Sequence, residues 1–398
     1  MRWLVIVLIF VLLFLSTRLE PSQLYSSKDF VLAQNTDLYT ATPALPAPVS
    51  AKGWKKPEIA LFARDESLLA SLVQISEDEL LYLLSLQDDN GIIAQTPERL
   101  HSIPYFSNMA AMALLSDPRG HEPVRKYMAW YIAHLNRPDK YNFTGTMYDW
   151  SKTDGAWQHT YSYDSADSYA ATFLSLVLNY TEVTLDASFA IDNIQAIVDV
   201  AEVLIRLQDR DGLMWAKPRY YVKFLMDNAE NYRGLRDAEK LMQHLGRTDF
   251  SARYGHAATR VARGMEKRMW NEADQSYAWA IMGPFWVRQQ RQRWYPDTVA
   301  QLYPVVFGVI PPNSERASHL YANLNANYPD WTSGRFDDRF PWTVLAYMAA
   351  LMNDDVRAVS YMKNVHQTIT AEHRYYPWHA FESAFYLKAW NKIHARNP

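Results

Sequence analysis

The chain has 398 residues, 49% of them apolar and 21% charged, which is the composition of a folded globular protein able to bury a full core in one large domain or two ordinary ones. A formal net charge of -3 and a pI near 6.4 give no field that would draw in a nucleic acid. With no cysteine, disulfides, thiolate metal sites, a cysteine nucleophile and a lipoprotein anchor are all excluded.

In chain order, Arg2 precedes an unbroken apolar run from Trp3 to Leu15, followed by Ser16, Thr17 and Arg18. That is the charged start and apolar stretch of a secretory segment, so the chain is expected to leave the cytoplasm for the periplasm or cell surface. The run is shorter than the roughly 20 residues of a comfortable spanning helix, but no A-x-A cleavage signature follows it. A cleaved signal and an uncleaved membrane anchor both stay open over 1–19, with the balance toward the anchor. Residues 20–57 read as a linker, because Pro43, Pro46 and Pro48 favour an extended, unpacked chain.

From 58 to 398 helical periodicity runs almost throughout, with hardly any alternating strand pattern. The predicted helices fall at about 77–87, 105–115, 122–136, 164–178, 190–208, 220–244, 250–270, 296–308, 314–326, 338–352, 354–370 and 377–392, which makes six pairs. Second members such as Met109 to Leu115, Ala170 to Leu174 and Leu345 to Leu351 are apolar nearly all round, as enclosed helices must be. First members such as Glu122 to Met128 carry charge on one face and suit an outer layer. The segments Leu86 to Ile93 and Leu207 to Met214 share a Gln-x-x-x-Gly turn at the ends of two outer helices, which points to a repeated hairpin unit.

Six helical hairpins, Gln-x-x-x-Gly turns, Asp-rich starts of the inner helices and the late segment Trp378-His379-Ala380-Phe381-Glu382-Ser383-Ala384 resemble the six-hairpin glycosidase superfamily, the (α/α)6 toroids. The resemblance spans nearly all of 60–398 and is to the architecture, with no family-defining motif matched. It implies an all-α barrel acting on a carbohydrate.

In such a barrel the long outer-to-inner loops, here 137–163, 271–295 and 327–337, gather at the end bearing the starts of the inner helices. Long loops on a rigid scaffold are where binding residues concentrate. Nine of the fourteen tryptophans fall there, which suits stacking on sugar rings and also the pinning of long loops. Glycoside hydrolysis needs a carboxylic acid and a second carboxylate about 5 to 9.5 Å apart. Asp164, Asp167, Asp227 and Glu230 are the catalytic candidates. The competing reading makes Asp164 an N-cap with Asp167 as its acidic third residue, and Asp227 with Glu230 a surface ion-pairing set. A helix N-terminus favours the ionised form, so Asp164 and Asp167 suit a base or nucleophile better than a proton donor. Candidates for substrate contact are Trp157, Tyr163, Trp215, Tyr220, Trp294, Asp297, Trp342, Trp378 and Glu382. Glu382 also reads as a buried partner for His379 or an arginine, and Asp337 with Asp338 as a cap or a partner for Arg339.

No metal or organic cofactor is expected, since the eleven histidines lack zinc-binding spacing and no phosphate-binding or nucleophile-elbow motif occurs. The leading expectation is an extracytoplasmic glycoside hydrolase acting on a cell-envelope or extracellular polysaccharide, its membrane contact limited to an uncleaved N-terminal segment and its oligomeric state open. A polysaccharide lyase using His159, Arg219, Tyr220 and Tyr221, and a non-catalytic glycan-binding toroid in exopolysaccharide assembly or export, are the alternatives.

Overall fold

A computed structural model describes residues 66–396 apart from 284, 288–292, 337 and 372. The apolar run Trp3 to Leu15, the linker and Asp337 therefore lie outside the described residues. Among the described residues no helix is long and apolar enough to cross a membrane.

Twelve helical segments alternate between an outer and an inner layer. The first pair is α1 (Glu66–Ser85) with α2 (Pro104–Leu114), and the second is α3 (His121–Ala133) with α4 (Ala166–Thr184). After a short α5 (Ser188–Asp192), α6 (Ile194–Leu207) pairs with α7 (Leu225–His244). The outer α8 (Thr248–Gly264) is followed by an inner segment in two pieces, a π-turn over Trp294–Thr298 and the single turn α9 (Tyr303–Val306). The last two pairs are α10 (Glu315–Asn327) with α11 (Val344–Leu351), and α12 (Asp355–Val365) with α13 (Ala380–His394). Around the inner layer α2 packs on α4, α4 on α7, α7 on α9, α9 on α11, α11 on α13, and α13 back on α2, so the ring closes. Outer helices straddle inner neighbours: α3 touches α2 and α4, α6 touches α4 and α7, and α12 touches α11 and α13. This is the (α/α)6 barrel that the paired periodicity predicts.

The inner helices are closed in on every side, as their composition requires. In α4 every residue from Ala166 to Leu178 is buried. Two inner helices, α4 and α7, come close enough that a Cβ on Gly234 would stand 2.5 Å from the Ala171 Cα. Only glycine lets those two backbones come together there.

The repeated Gln-x-x-x-Gly turn is one device used twice. Gln87 Nε2 donates to Gly91 O at 2.9 Å and to Pro123 O at 2.8 Å, and Gln208 Nε2 donates to Gly212 O and Ala257 O, both at 2.9 Å. Each glutamine closes its own turn and ties it to the next outer helix. Gly91 and Gly212 have φ of +102° and +93°, a region closed to most side chains.

The departures from the predicted elements fall at helix starts: the outer helix predicted at 77–87 already begins at Glu66, and the others open inner helices. The helix predicted at 338–352 begins only at Val344, because Pro341 and a left-handed Trp342 (φ +57°) keep the chain out of right-handed helical geometry until then. The helix predicted at 220–244 begins at Leu225, its first residues being strand β4 (Val222–Phe224). Strands are more frequent than expected. β1 (His101–Ser102), β2 (Trp150–Thr153) and β3 (Ala156–His159) form one antiparallel sheet, and β4 pairs with β7 (Ala280–Met282), which pairs with β8 (Phe285–Val287). A two-stranded ribbon joins β5 (Trp270–Asn271) to β6 (Ser276–Tyr277). At two to four residues each, these strands are too short to show alternation in sequence. They brace the long loops that lead into the inner helices.

Candidate functional site

The starts of neighbouring inner helices contribute to one region. Asp164 lies two residues before α4 and Asp167 in its first turn, while Asp227 and Glu230 occupy the first two turns of α7, the ring neighbour of α4. The capping-box reading of Asp164 does not hold, for the N-cap position is Ser165 and no side chain caps the helix. Asp227 and Glu230 are not a surface ion-pairing set either, since Glu230 is 3% exposed and no cation pairs with the two among the described residues.

Asp167 is fully buried; its Oδ1 accepts the Ser168 N–H at 2.8 Å and its Oδ2 the Asn231 side-chain amide at 2.7 Å. Glu230 Oε1 accepts the Tyr105 hydroxyl at 2.6 Å. Asp227 is half-buried, and its Oδ2 is shut off from solvent with no hydrogen-bond partner. Burial first, and then the charges of Asp167, Glu230 and Asp164, push the Asp227 carboxyl well above the usual range. Burial, with the charge of Glu230 adding to it, also raises Asp167 well above its ordinary value. Burial raises Glu230 to about 7, against the opposing bond from Tyr105. Burial and mutual repulsion therefore favour the protonated form in the inner part of this cluster.

The outer part differs. Asp164 has a side chain 19% exposed, with the Lys217 ammonium 4.0 Å from its Oδ1. Lys217 itself is buried and donates to Tyr163 O at 3.3 Å. A nearby cation compensates a carboxylate at Asp164, whereas among the described residues nothing does so for Asp227.

Four tyrosines surround these acids. The phenols of Tyr105, Tyr220, Tyr295 and Tyr303 are raised by burial and then by charges of the cluster, Glu230 acting on Tyr105 and Tyr303, Asp164 on Tyr220, and Asp227 on Tyr295. Tyr295 stacks on Trp342 with ring centroids 4.8 Å apart. Lys217 lies 5.1 Å over the Tyr220 ring. Together they make an apolar-faced, polar-edged rim around a group of carboxyls.

The structure thus brings together Asp164, Asp167, Asp227, Glu230 and Tyr220, with Trp342 joined to them through Tyr295. Other predicted contact residues are turned to packing. Trp157 gives its N–H to Asp88 at 2.6 Å, and Tyr163 gives its hydroxyl to Asp139 at 2.8 Å, so both pin long loops. Trp294 stacks on Phe336 at 4.2 Å. Trp378 is fully buried against Glu79, with Nε1 to Oε2 at 3.0 Å. Asp297 is fully buried beside Tyr328. Among the described residues Glu382 partners neither His379 nor an arginine: its carboxyl accepts the Thr343 N–H and hydroxyl, both at 2.7 Å, and the Trp342 N–H at 3.3 Å, fixing the start of α11 to α13. Asp338 accepts the Phe340 N–H at 3.0 Å and the Trp342 indole at 3.1 Å. Trp215 stands apart from the cluster, in a pocket beyond Lys217.

Sequence reasoning passed over Tyr105, Asn231, Tyr295, Tyr303 and Lys217. A usable signal existed for Tyr105, which occupies the first turn of α2 just as Asp167 does that of α4. Among the described residues no group of three or more His, Asp or Glu side chains is arranged to hold a metal ion.

No family model and no curated protein matches the sequence. Solved structures do. A wild-type glycosidase aligns with a TM-score of 0.61 at 14% identity, covering 83% of this chain and 99% of its own. The chain has a glycosidase-like fold. A GH76 alpha-mannanase of Bacteroides thetaiotaomicron aligns with a TM-score of 0.58 at 10% identity, over 82% of this chain and 97% of that one. A rhamnosidase from Klebsiella oxytoca with rhamnose bound aligns with a TM-score of 0.58 at 12% identity, over 88% of this chain and 66% of its own.

Proposed function

We propose that this chain is a glycoside hydrolase acting on a cell-envelope or extracellular polysaccharide. The observation that carries the reading is the unpartnered, buried Oδ2 of Asp227 within a group of four acids, next to a carboxylate, Asp164, that does have a cation beside it. Two carboxyls with opposite protonation are what the reaction needs. Asp227, held neutral, gives its proton to the glycosidic oxygen as the bond to the anomeric carbon breaks. Asp164, held as the anion, either takes a proton from the attacking water or itself bonds to the anomeric carbon. Asp167 and Glu230 are positioning residues, whose burial and proximity keep the proton on Asp227. Tyr220 and Tyr295 supply ring faces for the sugar, with the buried Trp342 backing Tyr295. An extracytoplasmic setting is supported by Arg2 and the apolar run from Trp3 to Leu15.

The test is release of reducing ends from a panel of envelope polysaccharides by the wild type, Asp164→Asn and Asp227→Asn. Both variants are expected to lose the activity while keeping the wild-type circular dichroism spectrum and melting temperature. Undiminished release by both would remove the assignment, and unsaturated products absorbing in the ultraviolet would move the reading to a lyase.

A further inference from the structure

Lys217 has two sides. Its ammonium is 4.0 Å from Asp164, and its residue also lines a pocket of about 210 Å³ on the far side of the 215–221 segment. Arg206, Lys217 and Arg219 bring three positive charges to this pocket, and none of its lining residues is acidic, although the whole chain carries a net charge of -3. Among the described residues no carboxylate lies within ion-pair distance of Arg206 or Arg219. Their guanidiniums rest instead on neutral groups: Arg206 donates to Asn142 O at 3.0 Å, and Arg219 lies 5.5 Å over the Tyr141 ring.

The aromatic walls are of a kind that suits a sugar. Tyr221 is 65% exposed, and its ring stands edge-on to Trp215 with centroids 5.4 Å apart. Arg219 adopts a left-handed φ of +61°, uncommon for a residue with a side chain. Arg219, with no carboxylate at ion-pair distance among the described residues, and Arg206, whose charged neighbour Glu202 acts on it at longer range, stand beside the exposed Tyr221 ring as a recognition set for a planar anion attached to a pyranose: a fork of N–H donors meets the anion, and the ring stacks.

We infer that the pocket of Arg206, Lys217, Arg219, Trp215 and Tyr221 is a subsite for an acidic sugar, so that the glycan cleaved at Asp164 and Asp227 carries a negatively charged substituent on a residue next to the scissile bond. This rests on the hydrolase reading for the cleavage alone; the binding stands without it. The connection between pocket and cluster is Lys217, one residue serving both, and the step from Tyr221 to Tyr220, whose phenol is within electrostatic reach of Asp164 and Asp227. A uronate carboxylate fits this set, and a phosphate or sulfate ester presents the same oxygens.

The experiment measures binding by calorimetry to the full chain, using oligoglucuronate, oligogalacturonate, a phosphate-substituted oligosaccharide and a neutral glucan of equal length. The acidic oligosaccharides are expected to bind more tightly than the neutral one. Arg219→Ala should weaken acidic binding by about 10-fold or more, as loss of a charge-assisted hydrogen bond does, with Arg219→Lys recovering part of it. Raising the salt concentration should narrow the preference. The substituent that binds best separates carboxylate from phosphate. Equal or weaker binding of every acidic oligosaccharide than of the neutral glucan, or an acidic preference unchanged by Arg219→Ala, would overturn the subsite. Hydrolysis of neutral glycans with no acidic binding would sink this inference and leave the hydrolase reading intact. Arg219-dependent acidic binding with no hydrolysis of any glycan would do the reverse.

Discussion

Two kinds of buried carboxyl occupy this barrel, and the contrast between them separates structure from chemistry. Glu79 is fully buried between Arg374 at 2.9 Å and the Trp378 indole at 3.0 Å. Glu382, 1% exposed, accepts three hydrogen bonds from Trp342 and Thr343 within its carboxyl. Both bridge helices and have their oxygens engaged. Asp227 also has a buried oxygen, yet among the described residues that atom has no partner and the charges acting on the group are those of other acids. Burial raises the proton affinity of Glu382 and of Glu230 alike, to about 7 in each. The direction of a pKa therefore does not distinguish the two kinds. What faces the carboxyl does: donors for a brace, like charges and open hydrogen-bonding capacity for a reacting group.

The sharpest test of that contrast pairs two variants. Asp227→Asn removes a proton donor, so kcat should fall by about 10²- to 10⁴-fold. Its melting temperature should hold, because an amide replaces an acid held neutral, of the same shape, without vacating any bond. Glu79→Ala should do the opposite. It leaves the Arg374 guanidinium and the Trp378 N–H without their acceptor, at a cost of roughly 3 kcal/mol in chemical denaturation, with the remaining folded protein active. A stability loss in Asp227→Asn comparable to that of Glu79→Ala would collapse the distinction.

Smaller in effect is the pH dependence carried by Glu230. Its carboxyl sits at about 7 in the folded chain against an ordinary 4.5, so the folded state holds the extra proton between those values. Its contribution to stability is thus complete below about pH 4.5 and is lost as pH rises through about 7. Glu230→Gln cannot titrate. The stability difference between wild type and this variant should shift against the wild type by roughly 1–3 kcal/mol from pH 4.5 to 7.5. A difference that stays flat across that range would show that Glu230 is an ordinary, solvated acid. Activity should lose its alkaline limb near the same pH only if the proton on Asp227 depends on its neighbour.

The scaffold was more legible in the amino-acid sequence than the roles of its residues, for a physical reason. Helix burial repeats every turn, so Ala170 to Leu174 or Leu345 to Leu351 announce enclosed helices from a few residues, and the glutamine of each Gln-x-x-x-Gly turn performs the same two hydrogen bonds. Site geometry has no such period. Tyr105 and Glu230 stand 125 positions apart and meet at 2.6 Å only because α2, α4 and α7 are neighbours in the ring. Tryptophan count pointed to the end of the barrel where the buried acids gather, but it could not tell Trp378, bonded to Glu79, from Trp342, stacked under Tyr295. Both lie beside a proline at the start of an inner helix, and the choice between brace and rim is made by what the opposite helix presents.

That bond between Tyr105 and Glu230 gives the finest division between brace and reacting group, because it belongs in part to each. The phenol is itself pushed well up by burial and by Glu230, so it stays protonated and can only donate. Tyr105→Phe removes the donor and leaves the ring stacked on Phe381, where the centroids are 5.7 Å apart. If the tyrosine only braces α2 against α7, the variant loses about 1 kcal/mol and nothing else. If it sets the proton affinity of Glu230, removing a bond that favours the anion raises that carboxyl further, and the alkaline limb of activity moves to higher pH. The direction is decisive, since simple loosening of the site would lower kcat at every pH without moving the limb. A pH–rate profile of Tyr105→Phe that superimposes on the wild type after scaling would place Glu230 among the braces, and an upward displacement would place it within the reacting cluster.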